Sequence, residues 1–240
     1  MTSAPVLDPL DDAPSSSRRE VPDRNGQVAE LAGRYLDALL HGDRRRALSV
    51  VLDEGLGAGV SVPSLQLGVI QEAQHQVGVL WEQNRLSVAQ EHLATSISQL
   101  VLAHLYRHLP RSASNGRKVV VACVEGETHE LGARMGADFF EMAGYDVRLV
   151  GANCPAGSLA RLVEEENADL LGLSATLVQQ AAALRRTVEQ VRALRGERFP
   201  IVVGGALMKA MPELATQLDL LAWGTRADVI LEACRSRMGW

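Results

Sequence analysis

The sequence lacks the features that identify membrane proteins and disulfide-stapled domains. No apolar run reaches the length of about 18 residues that suggests a membrane-spanning helix. Its 3 cysteines include no Cys-x-x-Cys pair, which excludes an even disulfide framework and favours a reducing compartment. The first residues also lack the charged-then-apolar pattern of a secretory signal. We therefore expect a cytoplasmic protein with no membrane partner.

An excess of positive charge and the common phosphate-binding motifs are also missing. The net charge is −5, and the short basic runs at Arg18-Arg19 and Arg44–Arg46 have acidic residues nearby, so we expect no direct contact with nucleic acid. The sequence contains neither Gly-x-Gly-x-x-Gly nor a P-loop, which disfavours dinucleotides and nucleoside triphosphates as ligands. Hydrophobic residues make up 47% of the chain, enough for real cores.

The first half of the chain is predicted to be helical. Residues 1–24 are rich in Pro, Ser and Asp and predict a disordered arm. Residues 25–109 carry helical periodicity with helix-start signals at Asp43, at Pro63 and at Ser87, which is followed by Gln90 as in a capping box. Four helices with short connections predict a helical bundle.

The second half alternates between strand-like and helix-like segments. It follows residues 110–117, which contain Pro, Ser, Asn and Gly and predict a linker. Strict alternation with mostly apolar strands predicts a parallel sheet covered on both faces over 118–240. The fold class is therefore α/β, an N-terminal four-helix bundle followed by a Rossmann-like (flavodoxin-type) five-stranded domain. The strand-like runs are 118–124, 146–150, 169–174, 200–204 and 219–223.

Polar residues and glycines follow these runs where the strands end. In a parallel sheet these ends share one edge, and ligands bind there. A mixture of polar side chains and glycines at that edge predicts a pocket for a large ligand. The residues are Glu127, His129, Gly132, Ser174, Thr176, Gly204, Gly205, Gly224 and Thr225.

His129 has two interpretations at this point. It can be a loop histidine that is hydrogen-bonded to a neighbour, or a metal ligand whose second nitrogen is held by a carboxylate, for which Glu127 stands two residues away. It is the only histidine in these loops, which disfavours a zinc ion held by protein ligands alone. A metal carried inside a macrocycle needs only one protein ligand.

The same residues resemble the cobalamin-binding domain family. The family pattern is Asp-x-His-x-x-Gly, then Ser-x-Leu, then Gly-Gly. This chain has Glu127-x-His129-x-x-Gly132, then Ser174-x-Thr176, then Gly204-Gly205. Forty-one residues separate the first motif from the second and 27 separate the second from the third, and both intervals match the family. Glu replaces Asp in the first motif, and Thr replaces Leu in the second.

This resemblance implies a role for each strand-end residue. His129 would replace the vitamin's own benzimidazole as the lower axial ligand of cobalt, and Glu127 would orient it. Ser174 and Thr176 would contact the displaced nucleotide tail or its phosphate. Gly204 and Gly205 would let the tail pass close to the backbone. Gly132, Gly224 and Thr225 complete the expected set of cofactor-binding residues.

The stretch Val77–His92 resembles the helical bundle of CarH-type cobalamin-dependent photoreceptors. Taken alone, Trp81 would be a core or interface residue, and Glu91-His92 a solvated helix start. The resemblance instead implies that Trp81 packs on the upper axial adenosyl group, with Glu91 and His92 beside it, so that the bundle caps the upper face of the corrin. Glu82 stands where the light-responsive repressors have a histidine that can capture cobalt. A carboxylate is a much poorer ligand than imidazole for low-spin cobalt, so we do not expect capture at that position.

The resemblance covers residues 27–240 and includes no DNA-binding domain. The expected function is a light sensor that binds adenosylcobalamin, forms homo-oligomers, is not an enzyme and signals to an unknown protein effector. The related photocobilins bind biliverdin beside cobalamin, and no bilin-attaching cysteine is evident here. The alternatives are a corrinoid protein of a methyltransferase system that carries a methyl group, and a cobalamin storage protein.

Overall fold

The protein divides into two compact units in a computed structural model that describes residues 24–239. Residues 24–110 form one unit and residues 111–239 the other. The predicted arm, residues 1–24, lies outside the described part of the chain except for Arg24, which begins the first helix. None of the helices in the described part has both the length and the apolar composition of a membrane span.

Residues 24–110 form four continuous helical rods. The second and third rods each contain a π-helical segment, a wider form of helix that the hydrophobic periodicity did not predict. The rods are α1 (Arg24–Leu40); α2 (Arg44–Ser49), continued by the π-helical Val50–Leu56; α3 (Val62–Leu65), the π-helical Gln66–Gln71 and α4 (Glu72–Glu82); and α5 (Val88–Leu105).

Local capping chemistry explains where these helices begin. The side chain of Asp43 accepts hydrogen bonds from the amides of Arg45 and Arg46 at the start of α2. At α5, Ser87 and Gln90 form the predicted capping box, each side chain bonding the other residue's amide. These side chains satisfy amides that have no partner inside the helix, and the predicted helix starts are therefore confirmed.

The apolar faces of the four rods meet in one core. Leu31, Tyr35 and Leu39 of α1 are buried against the other helices, as are Leu65 and Ile70 of the third rod. The third rod carries apolar residues at near-helical spacing, of which Leu65, Val69, Ala73 and Val77 are buried and Leu80 is half-buried.

Residues 111–239 form a five-stranded sheet in which every pair of neighbouring strands is parallel. The order β2-β1-β3-β4-β5 is that of the flavodoxin-type fold, so the predicted fold class is confirmed. The strands are β1 (Lys118–Val124), β2 (Asp146–Cys154), β3 (Leu170–Ser174), β4 (Ile201–Gly204) and β5 (Ala222–Gly224). The helices are α6 (Leu131–Met142), α7 (Ala156–Glu165), α8 (Ala181–Arg195), α9 (Leu207–Ala210), α10 (Glu213–Gln217) and α11 (Ala227–Met238).

The sheet is buried because helices pack on it. Strands β1 and β3 are buried over almost their whole length, as expected for the central strands of a parallel sheet. The chain adds β2 on one side of β1 and then adds β3, β4 and β5 on the other side. The strand order therefore reverses between β1 and β3. That switch point is where open α/β sheets bind their ligands.

The alternating pattern of the sequence predicts one helix over 206–216 after β4. The structure has two short helices there, because Pro212 lies between them and has no amide hydrogen to continue the first. The segment 111–117 is hydrogen-bonded to the end of α6, through the amide of Ser112 to the carbonyl of Met142 and the amide of Asn115 to the carbonyl of Gly144. Gly144 adopts φ +91°, and a side chain there would overlap the carbonyl of Ala113.

Candidate functional site

The ends of the central strands align in one row. In the register of the sheet, Cys123 of β1 lies beside Ser174 of β3, Ser174 beside Gly204 of β4, and Gly204 beside Gly224 of β5. The loops that follow these residues therefore leave the sheet at the same edge. The structure thus brings the motifs that carry the resemblance to neighbouring positions.

Glu127 and His129 form a tight pair in the loop after β1. Glu127 is fully buried, and its Oε1 lies 2.6 Å from His129 Nδ1 and accepts a hydrogen bond of 2.7 Å from the His129 amide. The imidazole is half exposed, with 53% of its side-chain surface open. The ring is therefore held at one nitrogen and accessible from outside.

The charge on Glu127 fixes the proton on this imidazole. Burial acts to raise the pKa of Glu127, but hydrogen bonds from His129 and Thr176 outweigh it and hold the pKa below its ordinary value. An ionised carboxylate only accepts hydrogen bonds, so His129 Nδ1 carries the hydrogen and donates it. The lone pair of the neutral ring is then on Nε2, the nitrogen that can bind a metal.

The buried carboxylate also connects two loops. Glu127 Oε2 accepts a hydrogen bond of 2.6 Å from the amide of Thr176, the residue that the second motif places after β3. The hydroxyl-bearing residue Ser174 is buried at the end of β3, beside Cys123 of β1. Thr176 thus acts on the pair through its backbone amide, a contact that side-chain motifs cannot indicate.

Sequence reasoning missed two residues that shape the same loops. Gln180 is buried, accepts from the amides of Thr176 and Leu177 at 2.8 and 2.9 Å, and donates to the carbonyl of Gly126 at 3.3 Å. Asn153 accepts from the Gly126 amide at 2.8 Å through its side chain. Gln180 carried no signal, because its partners are backbone groups, two of them in its own loop and one, the carbonyl of Gly126, in the loop after β1.

The glycines of the site serve two purposes. Gly205 adopts φ +107°, and a side chain there would overlap the carbonyl of Ala175, so the backbone itself requires glycine. In contrast, a Cβ at Gly132, in the first turn of α6, would meet no protein atom within 4 Å. A Cβ at Gly204 would make only ordinary contacts at 3.8 Å or more. Near Gly132 and Gly204 the structure thus has room beside the backbone. Gly224 and Thr225 are half-buried at the end of β5.

Cys123 lies beside this site but is not suited to bind a metal. Burial, together with the charges of Glu127 and Glu130, raises the pKa of Cys123 to about 12. A thiol must lose its proton to act as a ligand or nucleophile. Cys123 is fully buried and packs as a small hydrophobic residue.

Trp81, Glu91 and His92 belong to the helical unit, and we call these three residues the candidate binding cluster. Trp81 lies in the last turn of α4 and is 46% exposed. Glu91, in the first turn of α5, accepts from Thr95 Oγ1 at 2.8 Å, and its Oε2 lies 2.5 Å from His92 Nδ1. An exposed tryptophan on a helix end is more typical of a binding surface than of a core.

The residues at the sheet edge fit a cobalt ion that is carried inside a corrin. Among residues 24–239, no group of three or more His, Cys, Asp or Glu side chains could hold a metal ion. A metal that arrives in a macrocycle needs one axial protein ligand, and an imidazole fixed at Nδ1 by a buried carboxylate is such a ligand. The open space beside Gly132 is consistent with a large group at this edge.

Comparisons with known proteins agree with this fit. Two family models, each described as a B12 binding domain, match residues 117–232 and residues 31–106. The transcriptional repressor CarH of Myxococcus xanthus is 32% identical over 211 residues, which is 80% of this chain and 69% of CarH. Methionine synthase of Mycobacterium tuberculosis is 27% identical over 198 residues, or 77% of this chain, and the match spans only 16% of that enzyme.

A solved structure supports the fold. The monomethylamine corrinoid protein of Methanosarcina barkeri superposes with a TM-score of 0.72 at 16% identity, covering 88% of this chain and 98% of that protein. At that identity the similarity establishes the arrangement of helices and strands and nothing more specific.

Proposed function

The chain belongs to the B12-binding domain family and is a cobalamin-binding protein, and on that premise we propose that it is an adenosylcobalamin-dependent light sensor that signals to a protein effector. The observation that carries the proposal is the pair formed by the buried Glu127 and the accessible imidazole of His129, 2.6 Å apart. The sensor class is supported by the 32% identity to CarH along both halves of the chain.

On the lower side of the corrin, we assign His129 Nε2 as the axial ligand and Glu127 as the residue that orients it. The lowered pKa of Glu127 keeps its carboxylate charged, which holds the hydrogen on Nδ1 and keeps the ring basic at Nε2. The amides of His129 and Thr176 hold the carboxylate in place.

For the nucleotide tail, we assign the row of strand ends that begins beside this pair. Gly204, Gly205 and Gly224 carry no side chains that would occupy the edge. Ser174 and Thr176 supply hydroxyls there. The assigned residues are Gly132, Ser174, Thr176, Gly204, Gly205, Gly224 and Thr225. Ser174 is buried beside Cys123, so contact through its hydroxyl requires a local rearrangement that exposes it.

For the upper side, we assign Trp81, Glu91 and His92. This assignment rests on the resemblance of the stretch around Trp81 and on its exposure, since 46% of the tryptophan is open and a bulky ligand would remove that apolar surface from water. Glu82, the next residue, is exposed. Its carboxylate is a poorer ligand than imidazole for low-spin cobalt, so we do not expect it to bind the metal.

A sensor needs two states and a ligand that distinguishes them. Bound adenosylcobalamin supplies a cobalt–carbon bond that light breaks. We infer that loss of the adenosyl group removes contacts from Trp81 and Glu91, so that the helical unit adopts a second arrangement that an effector or a second copy of the chain can recognise.

A methyl-carrying corrinoid protein is the alternative function within the same family. The fold similarity to the monomethylamine corrinoid protein is compatible with it. An exposed Trp81 favours the sensor, because a carrier must leave the upper face open to its partners, and a bulky indole there suits a bulky upper ligand.

One experiment separates these functions. The full-length protein loaded with adenosylcobalamin is kept dark or exposed to green light, and its absorption spectrum and elution volume in size-exclusion chromatography are compared. A photoproduct with a change in assembly supports the sensor, while unchanged assembly with transfer of a methyl group from methylcobalamin to a thiol supports the carrier. Unchanged assembly without such transfer supports cobalamin storage.

Biliverdin as a second chromophore is tested in the same samples by a far-red absorption band after its addition. All three cysteines are buried, so such a bilin would bind without a thioether bond.

A further inference from the structure

A line of polar side chains runs through the core of the helical unit from Glu91 to Tyr35. Thr95 Oγ1 donates to Glu91 Oε1 at 2.8 Å and lies 3.4 Å from Gln74 Oε1. Gln74 Nε2 donates to Ser98 Oγ at 2.6 Å, and Ser98 Oγ lies 2.9 Å from the hydroxyl of Tyr35. We call these five residues, Glu91, Thr95, Gln74, Ser98 and Tyr35, the polar ladder.

The spacing of the ladder along α5 makes it continuous. Glu91, Thr95 and Ser98 follow one another at intervals of four and three residues, so they lie on one face of the helix. Gln74 reaches this face from α4, and Tyr35 reaches it from α1. The ladder therefore joins three of the four rods, with one end at the candidate binding cluster and the other in the core.

The inner end of the ladder, formed by Tyr35 and Ser98, is buried in the core. Tyr35 and Ser98 are fully buried, and burial raises the pKa of Tyr35, so its hydroxyl stays protonated. A buried polar group that loses its hydrogen-bond partner is costly. Tyr35 and Ser98 must therefore stay hydrogen-bonded. If Gln74 or Ser98 moves, the Tyr35 side chain or the helix α1 that carries it has to move with them to keep the bond.

The outer end has a choice of partners. The hydroxyl of Thr95 has one hydrogen to donate, and two acceptors are within reach, Glu91 Oε1 at 2.8 Å and Gln74 Oε1 at 3.4 Å. When the Glu91 carboxylate is in place, Thr95 donates its hydrogen to Glu91, because that contact is the shorter one. When the carboxylate is drawn away, the hydrogen of Thr95 can turn to Gln74, which is the next member of the ladder.

We propose that Thr95, Gln74 and Ser98 are positioning residues that hold the Glu91 carboxylate and pass a change in its contacts to α1 through Tyr35. The inference rests on the proposed function only for the event that moves Glu91, since the hydrogen bonds themselves exist without ligand. It identifies α1 as the helix that responds to the upper axial group.

The coupling can be tested first without cobalamin. Thr95→Val removes the hydroxyl at nearly constant shape, and Tyr35→Phe removes the hydroxyl at the other end of the ladder. Urea unfolding of the two single variants and the double variant should give effects that do not add, because the residues share one network. Strictly additive effects would overturn the ladder. If Thr95→Val does not fold, Gln74→Leu replaces it in the same cycle.

The relay is then tested in the loaded full-length chain by hydrogen exchange with mass spectrometry, in the dark and after green light. In the unmodified protein, and in Thr95→Ser, which keeps the hydroxyl, light should change the exchange of amides in α1. In Thr95→Val this change should be lost while the His129-ligated absorption spectrum stays the same. An equal change in α1 in all three proteins would refute the relay, as would no change in any of them. Failure to bind cobalamin at all would instead contradict the proposed function.

Discussion

At the scale of single residues, the pair Glu127 and His129 shows how a substitution within a motif can keep its chemistry. The family pattern has aspartate where this chain has glutamate, and the additional methylene could have displaced the carboxylate. Instead the longer side chain folds back so that Oε1 accepts from both the backbone amide and Nδ1 of His129, and Oε2 reaches Thr176. Three hydrogen bonds thus fix one buried carboxylate.

This carboxylate should make the stability of the cobalamin-free protein depend on pH. Because hydrogen bonds outweigh burial and lower the pKa of Glu127 from its ordinary value of 4.5, its ionised form stabilises the fold above that value, and this contribution is lost as the pH falls through the lower folded-state pKa. Glu127→Gln cannot supply the same charge, so it should be less stable than the unmodified protein at pH 7.

The difference in unfolding free energy between the two proteins should shrink as the pH is lowered below the ordinary pKa of a glutamate, as measured by urea unfolding at a series of pH values. Glu125→Gln is the matched control, because Glu125 is exposed and forms only a surface ion pair, with its Oε2 3.7 Å from a guanidinium nitrogen of Arg186. A difference between unmodified protein and Glu127→Gln that stays constant down to low pH would contradict the assigned ionisation.

Two glycines in α6 provide a second test at this scale. A Cβ at Gly132 or at Gly136 would meet no protein atom within 4 Å, so both Gly→Ala variants should fold, and the one at Gly136, inside the helix, should gain about 0.5–1 kcal/mol. Only Gly132 belongs to the candidate site. Gly132→Ala should therefore weaken cobalamin binding, whereas Gly136→Ala should not, as measured by titration of the absorption spectrum. Equal affinities would remove Gly132 from the site.

At the scale of secondary-structure elements, the start of α5 links helix capping to the candidate binding cluster. Ser87 and Gln90 form a reciprocal capping box, and Glu91 and His92 follow directly in the same helical turn. A frayed first turn would release the carboxylate of Glu91 from Thr95. The cap therefore stabilises the geometry of the cluster as well as the helix.

Loss of the α5 cap should change both the free energy of unfolding and the preference between forms of cobalamin. Ser87→Ala should lower the free energy of unfolding by about 1 kcal/mol, because the amide of Gln90 loses its acceptor. Asp43→Ala removes the cap of α2 at a comparable cost and is the control. Only Ser87→Ala should also reduce the preference for adenosylcobalamin over methylcobalamin, measured by competition. An equal loss of this preference in both variants would mean that the α5 cap has no specific effect on the geometry of the cluster.

The same elements show what a sequence can predict and what it cannot. The helix starts at Asp43 and Ser87 were predictable because capping depends on side chains within three residues of the amides they bond. Alternation of strands and helices predicts parallel strands but leaves their order open. The π-helical segment Val50–Leu56 could not be predicted, nor could the role of Gln180. Hydrophobic periodicity over one turn does not distinguish a π-helix from an α-helix, and Gln180 bonds backbone groups from two separate loops.

At the scale of the whole molecule, the assigned residues are divided between the two units. The residues assigned to the lower ligand and the tail belong to residues 111–239, and those assigned to the upper ligand belong to residues 24–110. Each unit also matches its own B12 binding domain model. The polar ladder lies wholly within the helical unit, so the proposed response to light has a path inside that unit alone.

Cobalamin should stabilise the sheet unit in a way that depends on one imidazole. A ligand that binds only the folded state, at a free concentration of 100 times its dissociation constant, adds about 2.7 kcal/mol to the free energy of unfolding. Amides of β1 and β3, which are buried next to His129, should then exchange about 100-fold more slowly with cobalamin than without it. In His129→Ala the added protection at the same ligand concentration should be largely lost, because the substitution removes the proposed lower axial ligand. His75→Ala, which removes an exposed histidine from the helical unit, should keep the full effect. Equal protection in His129→Ala and the unmodified protein would mean that cobalamin is held without this imidazole, and the assignment of the lower ligand would be wrong.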